Sequence, residues 1–321
     1  MARSTSLRGD RGRRAERPRE IPRAGWRDIA LRTKAELGDD HVSMVAAGVA
    51  FYALLAIFPA IAAIISIWGL VFDPQQIEQQ INAVAGALPQ QAAALLKDQA
   101  RRLASSAGGA LSLGAIGGLV LTLYSASKGL KALIEGLNII YDEEEERGFL
   151  RLNLVALGLT LAVIVVMIVA LGLIAAAPPV LGALGLGATA QALIAWLRWP
   201  LLFVVALAIL AVLYRYAPNR DEARWRWVSW GAVIATALWV PGSVAFSLYV
   251  RNFASYHATY GSLGAVIILL LWFWLSAYIV LLGAELNSEM EHQTAADTTA
   301  GPSRPLGERG ARMADTVGRT P

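Results

Sequence analysis

The chain lacks cysteine altogether and contains only three histidines. The absence of cysteine excludes a disulfide framework, a thiolate metal site and a cysteine nucleophile. His41, His257 and His292 are widely separated along the chain and share no metal-ligand spacing. The sequence also has no P-loop, nucleophile elbow or H-E-x-x-H motif. We therefore expect no enzymatic activity, no cofactor and no metal.

Charged residues are scarce as well. They make up 16% of the chain, hydrophobic residues make up 56%, and the mean hydropathy is +0.50. Soluble domains carry about 25% charged residues. The apolar residues form long charge-free runs rather than periodic stripes. This composition predicts an all-α, polytopic membrane protein.

Six runs contain no Asp, Glu, Lys, Arg or His and are long enough to be considered as membrane spans. A helix rises about 1.5 Å per residue, so about 20 residues cross a hydrocarbon core of about 30 Å. The first run is tilted or kinked at Pro59. The third run is too long for one helix, so we end it at Pro178 and interpret residues 180–197 as a glycine-rich connection. The predicted spans are residues 44–72, 109–127, 152–177, 199–214, 227–250 and 258–284.

The distribution of Arg and Lys decides between six spans and a seventh within residues 180–197. With six spans and an inner N-terminus, the inner segments carry 21 Arg and Lys and the outer segments carry five, leaving out two lysines of the second span. A seventh span would place the later basic segments outside. The count therefore predicts six transmembrane helices with both termini on the cytoplasmic side.

The segments outside the spans are polar. Residues 1–43 form a basic cytoplasmic arm, largely disordered, with a lead-in helix that either lies on the membrane surface or is solvated. Residues 44–286 form the six-helix transmembrane domain, and residues 287–321 form a disordered cytoplasmic tail. Apolar residues at helical spacing in residues 73–108 predict amphipathic helices on the outer face. We expect the arm to contact anionic lipid, and we expect no nucleic-acid partner.

A polar stripe ends the second predicted span, with side chains three or four residues apart on one helical face. A charge near the bilayer centre costs about 2.5 to 3.5 kcal/mol. The stripe therefore either lines an internal polar cavity entered from the cytoplasm, or its lysines reach the lipid phosphates while Glu135 lies in water. Further polar groups lie at comparable depth in other spans. The candidate cavity residues are Tyr52, Tyr124, Lys128, Lys131, Glu135, Asn138, Arg215 and Glu285.

Several segments carry specific motifs. They are AFYALLAIFP at residues 50–59, LYRYAPN at 213–219, and a stretch over 260–287 that begins YGSLGA and ends GAELN. Over about residues 40–290 the chain resembles the YihY/BrkB family of bacterial inner-membrane proteins. The motif residues that we single out as structural are Pro59, Pro218, Tyr260, Gly261, Ser262, Gly283 and Asn287.

The resemblance implies a six-helix, multi-pass protein of the cell inner membrane. The family has carried a ribonuclease label that these residues do not support, and links to serum resistance and envelope lipid export suggest a flippase-like role. Our leading hypothesis is a transporter or flippase-like protein that moves an amphipathic solute or an envelope lipid, with Glu135 as its proton-responsive group. The alternatives are a structural or scaffolding envelope protein and a membrane-anchored nuclease.

Overall fold

The computed structural model describes residues 11–68, 113–183, 188–252 and 262–320, and the regular elements in these ranges are helical apart from one isolated bridge. A 3-10 turn at Pro18–Glu20 precedes the first α-helix. The α-helices are α1 (Arg23–Asp39), α2 (Val42–Trp68), α3 (Leu113–Ile140), α4 (Phe149–Ala183), α5 (Ala188–Tyr216), α6 (Trp225–Asn252), α7 (Ser262–His292) and α8 (Arg312–Asp315).

Five helices within the described residues are long and apolar enough to cross a membrane. The candidate spans are Val42–Ile61, Phe149–Ala170, Trp199–Tyr216, Trp225–Arg251 and Val266–His292. The prediction of an all-helical protein with several membrane spans is confirmed. The remaining predicted span, residues 109–127, overlaps the first half of α3, which is not among the five, and its residues 109–112 lie outside the described residues. The predicted outer amphipathic helices, together with Tyr260 and Gly261, lie outside the described residues.

The connection predicted over residues 180–197 is wrong for most of its length. Helix α4 continues through Pro178 to Ala183, and α5 already begins at Ala188. Backbone groups inside a bilayer find no water to bond with, so a helix in an apolar run continues where a soluble helix would end. Proline is therefore a weaker stop signal in this chain than we assumed. Pro59 likewise lies inside α2.

Helix α3 ends where Asp142 adopts the left-handed conformation, with φ of 54°. The backbone N–H of Glu143 then donates to the carbonyl oxygen of Asn138 at 2.8 Å, which closes the last turn. His41, with φ of 50°, makes the corresponding turn between α1 and α2. The two turns direct polar loops toward the same end of the bundle, where Arg312 pairs with Asp142 at 3.5 Å.

Helix α7 packs against α2 and α6. A Cβ atom at Gly283 would lie 2.6 Å from the Tyr214 hydroxyl and 2.8 Å from the carbonyl oxygen of Gly231, so only glycine fits there. One turn further, buried Asn287 donates to the carbonyl of Val228 at 3.1 Å and accepts from the Gly231 N–H at 2.8 Å. These motif residues thus join α7 to the backbone of α6.

The arm, two loops and the tail fold together at one end of the bundle. We call this body the polar cap, and it consists of residues 11–41, 141–148, 217–224 and 293–320. Gln293 donates to the carbonyl of Arg11 at 2.7 Å and accepts from Arg32 at 2.8 Å. Ala223 and Thr299 form an isolated antiparallel bridge.

The polar cap differs from the disorder that we predicted for the arm and the tail. Helix α7 extends to His292, and beyond it the tail buries Thr298, Met313 and Ala314. Composition alone indicates disorder because the tail has few apolar residues of its own. Its polar groups are instead satisfied by the arm and by the loops, which lie far away in the sequence.

Candidate functional site

A groove of about 390 Å³ lies between the beginning of α4, the end of α5 and the loop that follows α5. Its charged lining consists of four arginines, Arg147, Arg151, Arg215 and Arg220, together with Glu222. Its apolar lining, which we call the apolar wall, consists of Leu154, Val155, Gly158 and Leu159. We call this feature the basic groove. It offers one surface to an anion and another to a hydrocarbon chain.

Two helix ends place the four arginines together. Arg147 and Arg151 flank the first residue of α4, and Arg215 lies in the last turn of α5. Buried Pro218 follows α5 and prevents the helix from continuing, and Arg220 in the loop after it also lines the groove. Because α4 and α5 pack as consecutive helices, their polar ends meet.

Ion pairs hold three of the four guanidinium groups. The pairs, 2.5 to 2.7 Å long, are Arg147–Glu145, Arg215–Glu222 and Arg220–Glu291. Arg151, in contrast, is exposed and makes no ion pair or hydrogen bond with any residue that the structure describes. It is therefore the cation of the groove that is available to a ligand.

The surroundings of Arg220 keep it charged. Its side chain is only 2% exposed, and its guanidinium carbon lies 4.8 Å from the ring centre of Tyr141. Burial alone would lower the pKa of Arg220, but the carboxylate of Glu291 outweighs it and holds that pKa above its ordinary value. Arg220 therefore carries a permanent positive charge in the lining of the groove.

The mouth of the groove lies beside apolar and aromatic surface. Phe149, Leu150 and Leu154 of α4 are 77%, 70% and 60% exposed. Arg215 lies 4.7 Å from the ring centre of Trp225, whose indole is half exposed. Exposed aromatic rings near helix ends are typical of the membrane interface. Exposed apolar and aromatic side chains therefore adjoin the groove.

Comparison with known proteins places the chain in a family. The family model described as "Virulence factor BrkB" matches residues 33–307. The chain belongs to this family. It is therefore a multi-pass membrane protein, as the sequence motifs predicted.

The relatives of this BrkB-family chain differ in how much of it they match. The ribonuclease-like protein YfkH of Bacillus subtilis is 34% identical over 252 residues, which cover 75% of this chain and 87% of the relative. UPF0761 membrane proteins of Idiomarina loihiensis and Alteromonas mediterranea are 38% and 45% identical, over 29% and 26% of this chain. These two matches cover 32% and 29% of the relatives' own lengths. No solved structure matches the chain.

In this BrkB-family chain, three of the predicted cavity residues on α3 are exposed: Tyr124, Lys128 and Glu135. Lys131 is half-buried and donates to the side-chain oxygen of Asn153 on α4. Its ammonium nitrogen lies 4.9 Å from the ring centre of Tyr124. Lys131 is thus the residue of this helical face that bonds across the α3–α4 contact.

Asn138, the last of the predicted cavity residues on α3, contacts two loops of the polar cap. It is buried, donates to Glu145 at 3.0 Å and accepts from the backbone N–H of Asn219 at 2.7 Å. Burial acts to raise the pKa of Glu145, but hydrogen bonds from Arg147 and Asn138 outweigh it and lower that pKa. Asn138 therefore supports the carboxylate that fixes Arg147 in the basic groove.

The remaining predicted residues are dispersed. Tyr52 is exposed on α2, where its ring contacts Phe51 edge-on. Glu285 is fully buried on α7, and neither of its carboxylate oxygens has a hydrogen-bond partner among the described residues. Arg215 is the only one of the eight that lines the basic groove as the structure describes it.

The sequence identified three groove residues only through the count of positive charges that orients the chain in the membrane. They are Arg147, Arg151 and Arg220. The available signal was their position, because each lies within a few residues of a predicted span end. Pairing them required knowledge of which helix ends are neighbours, and single-sequence spacing carries no such information.

Proposed function

We propose that this protein is a transporter or flippase-like protein of the bacterial inner membrane that moves an amphipathic solute or an envelope lipid, and we assign it no enzymatic reaction. The basic groove is the observation that carries the proposal. Its arginines and its apolar wall match the two parts of an amphipathic molecule, and its mouth lies beside exposed α4 side chains. A molecule can therefore enter sideways from the lipid phase.

Six spans with both termini in the cytoplasm belong to the same proposal. The arm, the loop after α3, the loop after α5 and the tail all meet in the polar cap. A chain that returns to one side after each pair of helices crosses the membrane an even number of times. The many arginines of the cap favour the cytoplasmic side, and exposed arm residues such as Arg23 and Arg27 are available to anionic lipid.

The Lys131–Asn153 contact supports a polar route beyond the groove. Lys131 lies nine residues before the end of α3, which is about 13 Å along the helix axis. A charged group at that depth is costly unless it has a polar partner. Since this chain keeps Lys131 half-buried and bonded to Asn153, the α3–α4 contact provides a polar site within the bundle.

A gradient rather than ATP supplies the energy in this proposal, because the chain has no P-loop. We assign proton coupling to Glu285 in place of Glu135. Glu135 is exposed, whereas the Glu285 carboxyl is fully buried and has no hydrogen-bond partner among the described residues. A buried carboxyl without a partner is costly when ionised, so its proton occupancy depends strongly on the conformation around it.

Reconstitution into vesicles tests transport. The purified chain is inserted into liposomes that contain a trace of fluorescent phosphatidylglycerol, and the exchange of this lipid between leaflets is followed by quenching from outside. We expect faster exchange than in protein-free vesicles. Lys131→Ala should slow it severalfold, because the α3–α4 contact then loses its charge, while Lys34→Ala, at an exposed position of α1, should leave it unchanged.

Exchange no faster than in protein-free vesicles, with either an anionic or a zwitterionic fluorescent lipid, would overturn the proposal. Equal slowing by Lys131→Ala and Lys34→Ala would also count against it. Glu285→Gln tests the coupling separately, since it should remove any dependence of exchange on an imposed pH gradient.

A scaffolding role is the second candidate, and the polar cap favours it. Arm and tail form a folded body with a fixed surface, which suits the binding of another protein. Crosslinking in cells separates the two functions. A stoichiometric envelope partner that is lost when the cap is disrupted, together with no lipid exchange in vesicles, would favour scaffolding.

A further inference from the structure

Among the described residues, one of the four arginines that line the basic groove has no acidic partner. Three carboxylates pair with the other three, whereas Arg151 pairs with no residue that the structure describes. A phosphodiester carries one negative charge at neutral pH, so one such group can pair with Arg151.

The paired arginines are fixed, and Arg151 is not. The side chains of Arg147 and Arg220 are 5% and 2% exposed, and Arg220 donates twice to Glu291, at 2.7 and 3.1 Å. These two groups are therefore held in place by their carboxylate partners. Arg151 is exposed and has all its guanidinium donors available, so it can form the paired hydrogen bonds that arginine makes with phosphate.

The apolar wall begins directly above Arg151. Leu154, Val155 and Gly158 follow at three, four and seven residues and therefore lie on the same face of α4. Apart from the neighbouring backbone of α4, no heavy atom of the described residues lies within 4 Å of the position that a Cβ would take at Gly158. A gap thus opens about 10 Å along the helix axis from Arg151.

We propose that the basic groove binds the phosphate group of an anionic membrane lipid, with Arg151 contacting the phosphate and an acyl chain lying over Gly158. This inference rests on the proposed function and names the ligand class of the same site. A free phosphate would use Arg151 equally well but would gain nothing from the apolar wall. The exposed Phe149 and Leu150 beside the mouth further favour a ligand that arrives from the bilayer.

Binding to the purified full chain in non-ionic detergent tests this assignment. The shift in unfolding temperature is titrated with dioctanoylphosphatidylglycerol, with dioctanoylphosphatidylcholine of the same chain length, and with inorganic phosphate. We expect saturable stabilisation by the anionic lipid, about tenfold weaker binding of the zwitterionic lipid, and no shift from inorganic phosphate at equal concentration.

Two variants probe the two halves of the groove. Arg151→Gln should weaken binding of the anionic lipid about tenfold, because it removes a charge-assisted contact. Arg319→Gln makes the same change of charge at an exposed position of the tail and should leave the affinity unchanged. Gly158→Leu should weaken lipid binding while every arginine remains. The unfolding temperature of each variant without ligand shows whether it is folded.

Equal affinity for the two lipids, or equal losses in Arg151→Gln and Arg319→Gln, would overturn the inference. Inorganic phosphate that stabilises as strongly as the anionic lipid, with no effect of Gly158→Leu, would also overturn it and identify a site for free anions. Lipid exchange that persists in vesicles while binding fails rejects only this inference. Binding without exchange rejects only the proposed transport.

Discussion

At the scale of single residues, the contact between α6 and α7 depends on the missing side chain of Gly283 and on the carboxamide of Asn287. The missing side chain at Gly283 admits the Tyr214 hydroxyl and the Gly231 carbonyl, and the carboxamide of Asn287 bonds to two backbone groups of α6. Helices in a bilayer gain little from burying apolar surface against one another, so close approach and polar bonds determine their pairing.

Gly283→Ala should destabilise the protein by about 1–3 kcal/mol, because the new methyl group collides with two helices that cannot both move away. Thermal unfolding in detergent measures the effect. Gly48→Ala is the matched control, since Gly48 is exposed on α2 and has no heavy atom within 4 Å of its Cβ position. Equal losses in the two variants would contradict the proposed close contact.

At the scale of elements, the turn between α1 and α2 collects acidic groups. Burial, followed by the charges of Asp142, Glu36 and Asp39, raises the pKa of Asp40 to about 7. Burial likewise raises the pKa of Glu36. Because this turn joins the polar cap to α2, its charge state affects how firmly the cap is attached to the bundle.

The raised pKa of Asp40 predicts a pH dependence of stability. The folded protein binds a proton at Asp40 more tightly than the unfolded chain, whose pKa is near the ordinary 3.8. Stability from this group therefore falls as pH rises from about 4 to about 7 and changes no further above that range. We expect Asp40→Asn to gain stability relative to the native protein over this interval.

Unfolding temperatures from pH 4.5 to pH 8 measure this difference between Asp40→Asn and the native protein. Comparing the two removes the contributions of groups such as Glu145 and Asp297, whose lowered pKa values act in the opposite direction. Glu146→Gln, at an exposed position of the loop after α3, serves as the control. A constant difference across the range would refute the role of Asp40.

At the scale of the whole molecule, the polar cap connects the two ends of the chain. Arg32 of α1 pairs with Glu289 of α7, and the backbone N–H of Gly318 donates to the carbonyl of His292 at 2.8 Å. Arg309 lies 3.9 Å from Asp297 within the tail. The buried Arg32–Glu289 pair holds the arm against α7, and the other two bonds hold the tail against α7 and against itself.

Deletion of residues 293–321 should release the arm while the membrane helices remain inserted. The arm then loses the bonds from Gln293 and Thr294 to the carbonyls of Arg11 and Ala15, and its arginines become accessible. Limited trypsin digestion followed by mass spectrometry should show faster cleavage between residues 11 and 23. A chain that lacks only residues 320–321 is the control, and equal protection of both truncated chains would argue against the cap.

The all-helical, multi-pass character of this protein was predictable because charge-free runs such as residues 44–72 must avoid water whatever lies beside them. The motif glycine Gly283 and Asn287 could likewise be selected from the sequence. The α4 boundary at Pro178 could not, because the effect of proline on a helix depends on whether the surroundings contain water.

The sequence by itself thus determined that this chain lies in a membrane as helices, and its motifs determined its family. Tertiary structure alone decided that arm and tail form the polar cap, and that Arg151, beside three paired arginines, pairs with no residue that the structure describes. The physical reason is the separation along the sequence between the residues that interact. Hydrophobicity adds up along neighbouring residues, whereas an ion pair such as Arg220–Glu291 joins groups 71 positions apart and exists only after the helices have packed.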